Sequence, residues 1–133
     1  DRDKRWAPLS TPYEGTFFGA LPFAKGGALV FGLRGNIFRS GDGGEWLKIE
    51  SPTKALLHAG LALADGRLVL AAAAGQLLVS ADEGRSFRLA AWPGAASATA
   101  TSLWQASDGG LLLASDKGVH RLELVDLHAE VVK

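Results

Sequence analysis

Short apolar runs separated by glycine-bearing turns fill most of the chain, and their order predicts strands rather than helices. The first group lies at 16–23, 28–33, 36–39 and 45–50. A second follows at 57–63, 68–73, 76–79 and 86–92, and a third, shorter one at 101–106, 111–115 and 119–124. Asp65-Gly66 and Ser107-Asp108-Gly109-Gly110 separate apolar runs, a strong hairpin signal because Asp and Gly both tolerate positive φ. No segment sustains an apolar period of 3.6 residues between helix caps. The tail from Leu122 to Lys133 fits a frayed helix or a strand equally well.

The groups are copies of one another. Gly26-Gly27-Ala28-Leu29-Val30-Phe31 recurs as Gly66-Arg67-Leu68-Val69-Leu70-Ala71 and as Gly109-Gly110-Leu111-Leu112-Leu113-Ala114, at spacings of 40 and 43. Gly35, Gly75 and Gly118 repeat the same spacings. Four short antiparallel strands in each copy predict an all-β fold of β-propeller blades. Blades are expected at 16–50 and 56–92, with a third at 100–124 that lacks its outer strand and a tail at 125–133. Residues 1–12 fit the outer strand of a preceding or partner blade, since Asp1 and Trp6 align with Asp82 and Phe87. About three blades are too few for a ring. Either further blades of a longer chain or a second copy, as a homodimer, would complete it.

Between the third and fourth strands stand Ser40-Gly41-Asp42-Gly43-Gly44-Glu45-Trp46 and Ser80-Ala81-Asp82-Glu83-Gly84-Arg85-Ser86-Phe87. These stretches resemble the Asp-box (BNR) repeat, Ser-x-Asp-x-Gly-x-x-aromatic. The run from Gly32 to Gly44 is most similar to the photosystem II stability/assembly factor-like propellers. The Ser80 copy matches throughout, whereas Trp46 arrives one residue early and implies a tightened turn. The resemblance implies a structural turn on the outside of each blade, built from Ser40, Asp42, Gly44 and Trp46 and from Ser80, Asp82, Gly84 and Phe87. It also implies a non-catalytic protein-binding or assembly role, with an Asp-box glycoside hydrolase (sialidase-like) or a carbohydrate-binding propeller as the alternative.

Composition narrows the chemistry. Fourteen basic residues balance fourteen acidic ones, so nothing favours nucleic acid as a partner. No apolar run reaches the ~20 residues of a membrane-spanning helix. Cysteine is absent, which excludes disulfides and thiolate chemistry and suits an extracytoplasmic protein. One carboxylate per box is too few for a calcium loop, and no Gly-Lys-Ser/Thr phosphate loop exists. His58, His120 and His128 lack metal-ligand spacing. No cofactor, metal or catalytic residue is therefore assigned.

Tyr13 beside Glu14 is the one pair suggestive of hydrolase chemistry, and a connecting loop explains it more simply. Arg34, Arg39, Arg67, Arg85, Arg88 and Arg121 recur near turns and would form an anion- or protein-binding patch if they converge. Trp92 and Trp104 are candidates for such a patch, with packing between blades the default for Trp104, which is expected on an inner strand.

Overall fold

A computed structural model describes residues 16–23, 26–41, 45–73, 75–91 and 100–123. These form eleven strands and one 3₁₀ turn, with no α-helix among the described residues. The first sheet takes β1 (Phe17–Phe23), β2 (Gly27–Gly32), β3 (Ile37–Ser40) and β4 (Leu47–Ile49) in chain order. The second takes β5 (Leu57–Ala62), β6 (Leu68–Ala72), β7 (Gln76–Ser80) and β8 (Arg88–Ala91). The third takes β9 (Ala100–Gln105), β10 (Leu111–Ser115) and β11 (Gly118–Leu122). Every pairing is antiparallel, so each sheet is a meander.

The same turn opens each meander. Gly26, Gly66 and Gly109 have φ of 99°, 97° and 96°, a region costly for a residue with a Cβ. Each donates its N–H to the carbonyl three residues back: Phe23, Leu63 and Ala106. In the second and third sheets Asp65 and Asp108 brace the turn by accepting the N–H of Arg67 and Gly110. The second glycine marker behaves differently. Gly35 and Gly75 close three-residue connections between β2 and β3 and between β6 and β7. Gly118 is instead paired with Ser115 across a two-residue turn, Asp116-Lys117. The turn is one residue shorter there, so equal spacing in sequence hides a one-place offset in register.

The sheets stack face to face around two apolar layers. Leu29, Phe31 and Ile37 of the first sheet meet Leu57, Leu68, Leu70, Ala72, Leu78 and Phe87 of the second. Val69, Ala71, Leu77 and Val79 face the other way, against Leu111, Leu113 and Leu122 of the third. Side chains alternate across a strand. A sheet covered on both faces must therefore be apolar at every position, and β6 reads Leu-Val-Leu-Ala-Ala with all five residues buried. Inter-sheet contact is richest between β1 and β5 and between β5 and β9. These first strands line the inside of the stack.

One ring sets the spacing of the first layer. Phe31 is 1% exposed, and a Cβ on Gly19 or Gly60 would lie 2.5 Å or 2.8 Å from its Cζ. A glycine on its own sheet and another on the next thus make the slot that holds the ring.

Candidate functional site

The loop from Ser80 to Phe87 is built from its own side chains. Ser80, 1% exposed, donates its hydroxyl to Asp82 Oδ1 at 2.7 Å. The same Oγ accepts the N–H of Gly84 at 2.8 Å and that of Asp82 at 3.3 Å. Asp82 Oδ1 also accepts the N–H of Ser86 at 2.9 Å, and Oδ2 accepts the Ser86 hydroxyl at 2.6 Å. Burial raises the Asp82 pKa, but the bonds from Ser86 and Ser80 outweigh it and hold the carboxyl at about 2. Both carboxylate oxygens are committed within the turn. Ser86 is a member of this network that the four-residue signature does not include.

The loop also reaches the preceding sheet. Phe87 is buried in the layer shared with Leu29 and Phe31, and a Cβ on Gly84 would stand 3.0 Å from Leu29 Cδ1. Just before Gly84, Glu83 takes φ of 62° and presents its carbonyl to Arg39, whose Nε donates at 2.8 Å. The Arg39 guanidinium lies 4.9 Å from the Phe23 ring centroid and 3.3 Å from Glu83 Oε1. Arg39 and Glu83 are 44 positions apart, so no local sequence signal could pair them.

In the first loop Asp42 and Gly44 lie outside the described residues. Ser40 is 1% exposed and Trp46 half-buried. Register places Trp46 where Phe87 stands: Phe38 pairs with Lys48 two places beyond Trp46, as Leu78 pairs with Leu89 two places beyond Phe87. The missing residue is thus absorbed before the aromatic, and strand pairing is kept.

Strand direction sorts the arginines. Chain reversals between the first and second strands and between the third and fourth share one end of the stack. Arg39, Arg67, Arg85, Arg88 and Arg121 lie toward that end, whereas Arg34 is in the 3₁₀ turn at the other. Most of the five are engaged locally. Arg67 pairs with Asp65 at 2.8 Å, Arg85 with Glu83 at 3.6 Å, and Arg121 with Glu123 and Asp108 at 2.8 Å and 3.0 Å. Among the described residues only Arg39 and Arg85 meet, on Glu83. The hydrogen bond from Arg67 lowers the pKa of Asp65, and that from Gly110, with Arg121 behind it, lowers that of Asp108. This end is thus a mosaic of arginine–carboxylate pairs.

Tyr13, Glu14, Trp92 and His128 lie outside the described residues. His58 is half-buried on β5 and His120 half-buried on β11. Among the described residues no group of three His, Asp or Glu side chains is arranged to hold a metal ion. Among the described residues no helix is long and apolar enough to cross a membrane. Trp104 corrects the sequence reading: it is 66% exposed, because it projects from the face of the third sheet that no described element covers.

This geometry has a counterpart among solved structures. A structure described as YCF48 bound to D1 peptide superposes with a TM-score of 0.58 at 14% identity, over 96% of this chain and 46% of that one. The fold is a segment of a β-propeller. The chain spans about half the length of that propeller. No family model matches the sequence, and no curated protein matches it.

Proposed function

We propose that the chain is a run of Asp-box blades, over 16–50, 56–92 and 100–124, acting as a non-catalytic protein-recognition or assembly module of the photosystem II assembly factor-like kind. The observation that carries this reading is the likeness to a propeller described as peptide-bound. The closed Ser80 network supports it by giving the box a scaffold role: Ser80, Asp82 and Gly84 stabilise the turn, and Phe87 seals the joint behind it. Ser40, Asp42, Gly44 and Trp46 fill the same role in the first blade. Recognition then falls to the end of the stack that carries Arg39, Arg67, Arg85, Arg88 and Arg121. There the guanidiniums of Arg39, Arg67, Arg85 and Arg121 can each exchange a local carboxylate for one on a partner peptide.

The test is fluorescence anisotropy with a panel of labelled acidic, neutral and basic peptides. Saturable binding of acidic peptides is expected. Arg67→Ala and Arg85→Ala should weaken it by about tenfold each, for a charge-assisted hydrogen bond of ~1.5 kcal/mol. Arg34→Ala, at the far end, should leave it unchanged. Absence of saturable binding, or turnover of chromogenic glycosides instead, would overturn the reading.

A further inference from the structure

The second sheet shows what a blade needs on its forward face. Val69, Ala71 and Leu77 are each 0% exposed there because the third sheet covers them, and Leu61 packs beside them. Register maps these positions onto the third sheet one by one. Val69 pairs with Leu61 as Leu112 pairs with Trp104, and Ala71 pairs with Leu77 as Ala114 pairs with Val119. The third sheet thus carries a largely apolar forward face, with Arg121 opposite Leu112 where Val79 stands opposite Val69, yet Trp104 is 66% and Val119 74% exposed. The complementary rearward surface stands at the opposite end of the same chain. Ala20, Ala28 and Val30 occupy the register positions of Gly60, Leu68 and Leu70, whose face meets a preceding sheet, and Ala20 is exposed with Ala28 and Val30 half-buried.

We infer that Trp104, Leu112, Ala114 and Val119 form a docking face for the Ala20–Val30 face of a second copy of this chain. A surface and its complement at the two ends of one molecule associate head to tail and close when the rotation completes a circle. Three sheets spanning 46% of a solved propeller bring closure at two copies, a ring of about six blades, within the usual four to eight. This inference is separable from the peptide-binding reading: Arg121 borders both surfaces, but Arg67 and Arg85, which test that reading, belong to the second sheet and lie on neither end face.

Sedimentation velocity of the chain over a range of concentrations decides it. Twice the chain mass is expected. Val119→Lys or Trp104→Lys on one end, or Ala20→Lys on the other, should weaken the dimer about 100-fold or more, since each would bury an unpaired charge. Leu47→Lys, which replaces an exposed leucine away from both end faces, should leave it intact. Circular dichroism checks that the variants stay folded. Should one unfold, hydrogen exchange of the unaltered chain serves instead, with amides of 111–122 slowing as concentration rises. A monomer at every concentration, a dimer indifferent to all three variants, open polymers, or exchange independent of concentration would each overturn the inference.

Discussion

Asp82 shows at single-residue scale how a conspicuous polar motif becomes scaffold. Its carboxylate accepts three hydrogen bonds inside one turn, and its pKa falls from 3.8 to about 2 in consequence. A group whose folded pKa is depressed adds stability that is present above its unfolded pKa and lost as pH falls through the folded value. Thermal unfolding should therefore show a loss of stability between about pH 4 and pH 2 that Asp82→Asn largely removes. Ser80→Ala should cost about 1–3 kcal/mol at neutral pH in urea titrations, because buried N–H donors lose their acceptor. Much of this was legible in the sequence, since Ser, Asp and Gly at that spacing are turn chemistry wherever they fall. Ser86 was not, because a serine before an aromatic carries no signal until the turn brings its hydroxyl to Asp82 Oδ2.

At the scale of elements, glycine-punctuated apolar runs marked every strand of the three sheets to within a few residues, because turn chemistry is local. The fit between sheets was illegible. Nothing near Gly60 in sequence indicates that it must lack a side chain, since the Phe31 ring that needs the space belongs to another sheet. Gly60→Ala should destabilise the chain by about 1–3 kcal/mol through overpacking, and Phe31→Ala by about 3–5 kcal/mol through the cavity it leaves. Together they should cost less than the sum, since removing the ring frees the space the new methyl takes. Urea titration of the two single variants and the double variant measures this coupling. Gly118 illustrates the converse error: its spacing matched, but turn length differed, and only register exposes the offset.

Across the whole molecule, stability rests on layers that no sheet completes alone. The second sheet is apolar on both faces, so it depends on the first for Leu68, Leu70 and Leu78 and on the third for Val69, Leu77 and Val79. A chain ending after residue 91 should bind a hydrophobic dye and precipitate, whereas one keeping the third sheet should not; dye fluorescence and light scattering distinguish the two. Period alone predicted stacked repeats. It does not tell a covered face from an open one, so Trp104, with packing between blades as its default expectation, is 66% exposed within a single chain.

The join made by Gly84 and Phe87 against Leu29, with Arg39 clasping Glu83, bears on how such chains can be recombined. The Ser80 loop belongs by connectivity to the second sheet and by packing to the first. A cassette cut at sheet boundaries would carry the loop away from the residues it was fitted to. Grafting the second sheet onto another scaffold therefore requires moving Phe23, Leu29 and Arg39 with it, and the portable unit is a junction rather than a blade.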